Sequence, residues 1–475
     1  MLPAEFKERM TLLLGEDESQ RLFDEIENGK AIRSFRVNRI KAEEDAIEAF
    51  GVDISCEKLD FPKECYRTDE EFPGFLPCHH SGMIYMQDPS AMATVHAVSI
   101  EKGVKILDSC SAPGGKTTQL CALAGDEGIV VANEYDTKRC RILQSNVERL
   151  GARNTVIVNL DTAILAETYP ETFDIVLCDA PCSGEGMFRK NIKAIDEWSL
   201  ENVSMCAERQ REILNNVVKC VKPGGKLIYS TCTFSIEENE MNVRWLLDSF
   251  PCLELCDVEE DLKSATCDGI LLEGCDYDMT KTRRFYPHIS KGEGQFIAVL
   301  RRSEENGLTS EKESKRKEKC KKDGAKPNKA DQQMIELAKE FLRENLCEDS
   351  TAFSKELYLY NGSVYLKPDI ALPKFGVFAP GVCVGELAGK RLVPHHQIFS
   401  AYGADFKRRL CLRSSDAAAN EYLMGMEIPV GDSEEHMGEA NGYAAVIVDG
   451  CSVGGGKISG GVCKNHYPKG LRNQK

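Results

Sequence analysis

Residues 104–124 write an apolar strand, a glycine turn and a helix in immediate succession, and few folds accept that order. Ile106 and Leu107 close an apolar run and Asp108 follows it. Pro113-Gly114-Gly115 then turns directly into the helix-forming Lys116-Thr117-Thr118-Gln119-Leu120. Glycines let a ligand approach the backbone closely, and the first turn of a helix offers unpaired N–H groups. The G-x-G-x-x-G spacing of a dinucleotide site is absent, and the phosphate loop of ATPases needs a glycine where Cys110 stands. Acids at Asp108 and Glu134 suit instead a ligand with a ribose and a positive charge. S-adenosylmethionine, a sulfonium nucleoside, is the expected cofactor.

Strand and helix patterns alternate at βαβ spacing from residue 86 to residue 302. Strands are predicted at 104–108, 128–133, 155–159, 173–179, 225–231, 253–257 and 295–300, and helices at 116–124, 137–150, 197–221 and 236–249. The prediction is an α/β fold: a doubly wound, mostly parallel Rossmann-like sheet covered by helices on both faces. Ligands of such a sheet lie at the carboxyl ends of its strands. Residues 1–85 read as a small α/β appendage. It has two amphipathic helices within 1–30, a strand at 34–38, a helix at 42–50 and an irregular stretch at 61–85. Cys78-His79-His80 in that stretch reads as loop, because partners at ligand spacing are lacking, and no metal is expected. Residues 303–330 are charged and almost without apolar side chains, the composition of a linker. An intermediate C-terminal domain at 331–410 opens with a helix at 334–346 and continues in strands at 357–360, 363–366 and 382–387. Residues 411–475 hold a strand at 444–448 and five glycines between 454 and 461, and read as a small β-barrel module.

A net charge of −16 argues against a general polyanion binder, but the charge is uneven. Residues 311–329 carry nine Lys/Arg against four acids. From Cys451 onward there are five basic residues, Lys464, Lys469 and Arg472 among them, and no acid. Local basic patches on an acidic body suit a nucleic acid that is placed rather than coated. The 21 cysteines form no C-x-x-C pair, which points to reduced thiols in a cytoplasmic protein. With no apolar run of 18 residues and no basic-then-apolar start, neither a membrane span nor a secretory signal is expected.

Candidate chemistry gathers at the predicted strand ends. Glu134 ends the second strand, where a carboxylate accepts hydrogen bonds from ribose hydroxyls, and Asp161 follows the third, within reach of an adenine amino group. The fourth strand ends in Asp179-Ala180-Pro181-Cys182-Ser183-Gly184 and the fifth in Ser230-Thr231-Cys232-Thr233. Two cysteines at neighbouring strand ends, one of them just after a carboxylate, suit methylation at carbon 5 of a pyrimidine. That carbon is too electron-poor to attack a methyl donor. A thiolate added at carbon 6 makes it an enamine carbon, an acid such as Asp179 can hold ring nitrogen 3, and a second thiol can help remove the carbon 5 proton. A free thiol is only slightly ionised at neutral pH, so a nearby cation is needed, and Lys190 is a candidate.

Several motifs together resemble the RNA 5-methylcytosine methyltransferases of the Sun/Fmu type, and among them the RsmF-like ribosomal RNA enzymes. They are Tyr85-Met86-Gln87-Asp88-Pro89-Ser90, Cys110-Ser111-Ala112-Pro113-Gly114-Gly115-Lys116, Asn133-Glu134, Asp179-Ala180-Pro181-Cys182-Ser183-Gly184-Glu185-Gly186 and Ser230-Thr231-Cys232-Thr233. Thr282-Arg283-Arg284-Phe285-Tyr286-Pro287-His288 is similar to the late core of that family, and Lys464-Asn465-His466-Tyr467-Pro468-Lys469-Gly470-Leu471-Arg472 to its PUA-like module. The resemblance implies that Cys232 is the nucleophile and Cys182 the helper. It implies that Cys110 to Lys116, with Glu134, Asp161 and Asp179, hold S-adenosylmethionine. It also implies a monomer acting on 16S ribosomal RNA or the small subunit, with Lys190, Lys464, Lys469 and Arg472 contacting RNA.

Three other readings compete. A tRNA cytosine-5 methyltransferase would use the same groups. A DNA-type enzyme would attack through Cys182 and need Glu-Asn-Val at a strand end, whereas Glu201-Asn202-Val203 falls at a predicted helix start. A non-catalytic assembly factor would have no need of both cysteines, Asp179 and Lys116.

Overall fold

The computed structural model describes residues 1–71, 73–304, 329–389, 391–433, 435–439 and 441–473. The chain opens with a helical hairpin, α1 (Ala4–Leu14) and α2 (Glu16–Asn28), turned at Gly15, whose φ of 82° favours glycine. Next come β1 (Ser34–Val37), α3 (Ala46–Ala49), β2 (Cys56–Lys58), β3 (Cys65–Thr68), α4 (Pro77–His80) and β4 (Ile84–Met86). The four strands make an antiparallel sheet in the order β2-β3-β1-β4. The 61–85 stretch is therefore not irregular. Its strands are three and four residues long, too short for alternation to stand out, and Cys78-His79-His80 lies in a one-turn helix begun by Pro77 rather than in a loop. The helix expected at 42–50 shrinks to one turn.

The central body follows: α5 (Pro89–Ala93), β5 (Lys105–Asp108), α6 (Gly115–Ala124), β6 (Ile129–Asn133), α7 (Thr137–Leu150), β7 (Thr155–Val158), α8 (Thr162–Thr168), β8 (Phe173–Asp179), α9 (Ile192–Glu197), α10 (Leu200–Val217), β9 (Val221–Thr231), α11 (Glu240–Ser249), β10 (Leu253–Cys256), α12 (Glu260–Ser264), β11 (Cys267–Asp268), β12 (Arg283–Phe285) and β13 (Gln295–Arg302). Strands β9-β8-β5-β6-β7 are parallel, and β13 pairs antiparallel with β9. Leu107, Val131, Val156, Val176 and Leu227 bury on one face, and Ile106, Val130, Ile157, Ile175 and Ile228 on the other. Both faces are covered, so these strands read as continuous apolar runs. The helix expected at 197–221 is α10, which begins only at Leu200 because the Ser199 hydroxyl accepts from Asn202 N–H and caps its N-terminus; the short α9 precedes it. Glu201-Asn202-Val203 lies in the first turn of α10.

The C-terminal part begins with α13 (Lys329–Asn345), β14 (Glu356–Tyr360), β15 (Ser363–Lys367), β16 (Val377–Ala379), β17 (Val382–Ala388), β18 (Arg391–Pro394) and α14 (His396–Tyr402). Strands β14-β15-β17-β18 form their own sheet, whereas β16 pairs antiparallel with β7 and adds a strand to the central sheet. The 331–410 segment is therefore built into the core as well as beside it. Last come β19 (Arg409–Leu412), α15 (Ala417–Leu423), β20 (Ile428–Pro429), β21 (Glu435–Met437), β22 (Gly442–Val448), β23 (Cys451–Ser459) and β24 (Val462–Asn465). They give a curled sheet in the order β20-β24-β23-β22-β19-β21. Gly455 is required here, since a Cβ would lie 2.2 Å from Phe399 Cδ1. Residues 305–328 of the expected linker lie outside the described residues.

One side chain joins all four parts. Lys41 Nζ donates to Ser81 O (2.9 Å), Arg149 O (2.9 Å), Ser400 Oγ (2.9 Å) and Ser452 O (2.8 Å), with no carboxylate partner among the described residues. Burial pulls this ammonium down to about 7. A second buried cation, Arg284, meets Glu240 through Nε–Oε1 (2.7 Å) and Nη2–Oε2 (2.5 Å). Arg284→Ala would leave the Glu240 charge alone in the core. A loss of about 3–5 kcal/mol is expected, read as a fall in the denaturant midpoint. The twenty described cysteines are free thiols, and no described helix is long and apolar enough to cross a membrane.

Candidate active site

Strand order reverses beside β5, between β6 and β8, and the crevice outside these strand ends is where the motifs converge. Asp108 at the end of β5 is buried. Thr117 Oγ1 donates to its Oδ2 (2.7 Å), whereas Oδ1 has no partner, and burial pushes the carboxyl up to about 7. Gly114, at φ 108°, turns the chain into α6. A Cβ on Gly115 would stand 3.0 Å from the Tyr85 ring and 3.2 Å from Gln87 Cδ, so the turn and the Tyr85-Met86-Gln87 segment approach closely. Between them lies a cavity of ≈ 220 Å³ whose lining includes Tyr85, Gln87, Asp108, Ser111, Lys116 and Asp179. Cys110, Ala112, Pro113 and Gly115 line it too. An unpaired buried carboxylate oxygen facing such a cavity suits a cationic ligand carrying an N–H donor.

Sequence reading missed the residue that braces this turn. Arg36 of β1 is 1% exposed. It donates from Nε to Gln87 Oε1 (2.9 Å) and from Nη2 to Gly115 O (3.0 Å) and Thr118 Oγ1 (2.6 Å). The appendage thus braces the glycine turn, and an arginine between the apolar Phe35 and Val37 was the one available signal.

Glu134 and Asp161 stand farther along the crevice, outside that cavity's lining. Glu134 is buried; its Oε1 accepts from Asp136 N–H (2.9 Å) and its Oε2 lies 3.5 Å from Arg139 Nη1. Asp161 is exposed and caps α8 by accepting from Ala163 N–H (2.8 Å). Asn133 ties the three strand ends, donating to Ser109 O (3.1 Å) and accepting from Leu160 N–H (3.0 Å).

Neighbouring parallel strands β8 and β9 bring the two cysteine motifs together. Cys182 Sγ and Cys232 Sγ are 3.1 Å apart. The contact with Cys232, reinforced by burial, drives the Cys182 thiol well above its ordinary range. Cys182 therefore holds a proton that it can share with a charge on Cys232. Asp179 accepts from Lys116 Nζ (2.8 Å), Ser230 Oγ (2.6 Å) and Gln295 Nε2 (3.3 Å). Burial works against the Lys116 ammonium, yet Asp179, with Cys232 adding, holds its pKa above the usual value. Lys116 is thus a cation within electrostatic reach of Cys232. Lys190, assigned that place from sequence proximity, is instead engaged by Asp88 (2.6 Å) and Glu293 (3.4 Å). In the C-terminal module Lys464 and Lys469 are exposed, whereas Arg472 turns inward and donates from Nε and Nη2 to Tyr467 O (3.2 and 3.1 Å).

The family described as 16S rRNA methyltransferase RsmB/F matches residues 95–301. The N-terminal domain of 16S rRNA methyltransferase RsmF matches residues 2–89, and the methyltransferase RsmF PUA domain residues 409–473. Ribosomal RNA small subunit methyltransferase F of Vibrio campbellii is 32% identical over 411 residues, covering 84% of this chain and 81% of that protein. Its counterpart in Aeromonas salmonicida is 32% identical over 418 residues, covering 85% and 82%. Among solved structures, a methyltransferase homologue from Pyrococcus horikoshii aligns with a TM-score of 0.55 and 28% identity, over 63% of this chain and 94% of that one. NSun6 from the same organism aligns with a TM-score of 0.54 and 22% identity, over 63% and 98%, a likeness of fold.

Proposed function

Because the chain belongs to the small-subunit ribosomal RNA methyltransferase F family, we propose that it methylates carbon 5 of a cytidine in 16S ribosomal RNA through a bond from Cys232 to carbon 6. The observation that carries this reading is the 3.1 Å approach of the two thiols, next to an Asp179–Lys116 pair that lines the glycine-turn cavity. S-adenosylmethionine, when bound, supplies the methyl group. The unpaired Asp108 oxygen, the Gly114-Gly115 turn and Glu134 are the groups that fit it.

This chain's residues then divide the work. Cys232 adds to carbon 6, consuming the 5,6 double bond and placing electron density on carbon 5. Lys116 attracts the negative charge at sulfur, and Asp179 receives the polar edge of the base. After methylation Cys182 assists removal of the carbon 5 proton, the double bond returns and Cys232 leaves. The base must be unstacked to reach the crevice, so unpaired cytidines react best. Exposed Lys464 and Lys469 contact flanking phosphates, and a monomer holds every group named.

Bisulfite sequencing of small-subunit RNA with and without the gene tests this. One or more cytidines should lose protection in the deletion, and protection unchanged at every position would refute the reading. Glu134→Ala is expected to weaken S-adenosylmethionine binding by about 1–3 kcal/mol through lost ribose hydrogen bonds. Unchanged affinity by calorimetry would place the ribose elsewhere.

A further inference from the structure

Behind the thiols runs a single file of buried oxygens. Glu238 Oε1 and Ser183 Oγ are 2.5 Å apart, Ser183 Oγ and Thr233 Oγ1 2.8 Å, and Thr233 Oγ1 and Glu185 Oε2 2.9 Å. Glu185 and Glu238 are fully buried, and Ser183 and Thr233 nearly so. Ser183 and Thr233 directly follow Cys182 and Cys232, so the file ties one cysteine loop to the other.

Three contacts of hydrogen-bond length need three protons, and the two hydroxyls supply two. If both carboxyls were ionised, one contact would set lone pair against lone pair where water cannot intervene. The third proton must therefore sit on a carboxyl, and the N–H donors say which oxygen. Glu238 Oε2 accepts from Ser183 N–H (3.0 Å) and Gln210 Nε2 (2.8 Å). The Gln210 amide is oriented by Pro181 O, to which Nε2 also donates (3.0 Å), and by Asn242 Nδ2, which donates to Oε1 (2.9 Å). Glu185 Oε1 accepts from Trp198 Nε1 (2.9 Å), and its Oε2 from Phe234 N–H (3.0 Å). Among the described residues, Glu238 Oε1 is the one carboxyl oxygen of the four with no N–H donor.

We infer that Glu238 is held as a carboxylic acid whose Oε1 proton completes this chain, making it a positioning residue that fixes the Cys182 and Cys232 loops in register. The inference rests on the proposed role of the two cysteines. Burial acts in the same direction, pushing the Glu238 carboxyl up to about 7. The groups that face it are Cys182 and Glu185 from the loop after β8, Tyr229 from β9, Cys206 and Gln210 from α10, and Arg9 from α1. Arg9 is already paired with Glu237 (2.5 Å). When Glu238 loses its proton, the chain has two hydrogens for three contacts. An anion then stands beside Cys182, whose thiol that charge pushes further up.

Two measurements on the full chain separate this inference from the cysteine assignment. The first is infrared difference spectroscopy without RNA, wild type against Glu238→Gln. A carboxylic-acid carbonyl band should be present in the wild type at pH 6, absent from the variant, and lost from the wild type as pH rises about one to two units above 7. The second is the pH profile of methyl transfer. The glutamine amide can donate to Ser183 Oγ and accept from Ser183 N–H and Gln210 at any pH. Glu238→Gln should therefore keep activity within about fivefold at pH 7 and escape the wild type's alkaline decline, whereas Glu238→Leu should lose about a hundredfold in kcat with KM nearly unchanged. No band difference, or a glutamine variant as impaired as the leucine one, overturns the inference. If the wild type itself does not methylate RNA and the band is present, the proposed reaction fails and the protonated Glu238 stands.

Discussion

Cys232→Ala is expected to cut RNA methylation by about a thousandfold or more while S-adenosylmethionine binding stays within about twofold of wild type. The substitution removes one sulfur from the end of β9 and leaves the Asp108 cavity, α6 and the Asp179–Lys116 pair in place. Carbon 5 of cytosine has no other route to nucleophilic character in this crevice, so no partial activity should survive. Single-turnover transfer of labelled methyl groups, set beside calorimetry of cofactor binding, measures both halves. Retention of more than about 1% of the rate would remove Cys232 from the nucleophile's role.

Cys182→Ala should instead act at a later step. With Cys232 intact the adduct can form, but its breakdown loses the thiol that stood 3.1 Å away. In the wild type the contact with Cys232 helps keep Cys182 protonated. Once Cys232 is bonded to carbon that hold is released, and Cys182 becomes free to take part in proton removal. A covalent protein–RNA species should therefore accumulate on denaturing gels, with turnover lowered about a hundredfold. The same species must vanish when both cysteines are replaced. Its persistence without Cys232 would exchange the two roles and favour the DNA-type arrangement.

The parts of this site that lie on strand ends were legible from the letters. Asp108, Glu134, Asp179, Cys182 and Cys232 each stop or follow a run of buried β-formers, and a parallel sheet brings such ends to one crevice. What failed was inference from nearness along the chain. Lys190 is eight positions from Cys182, yet its side chain turns to Asp88 and Glu293, and the cation within reach of Cys232 comes from α6. Ser230, Gln295 and Glu238 carried no separate signal, because each acts through a partner dozens of residues away. Asp161 stands where a ligand contact was expected, and its carboxylate also starts α8, which the strand count passed over. The joining of β16 to β7 crosses about 220 residues of sequence. No local pattern announces such a pairing.

The Lys41 junction bears on how this chain can be shortened. Its ammonium finds acceptors in the appendage, on α7, on α14 and on β23. A gene truncated after residue 304 would encode every reacting group and still leave that cation with two of four acceptors, in a hollow opened to water. Such a fragment should melt well below the whole chain, and the whole chain should melt in one transition rather than several. A sequence divisible into modules on paper is thus expected to behave, in calorimetric terms, as one cooperative unit, with activity that depends on all of its parts.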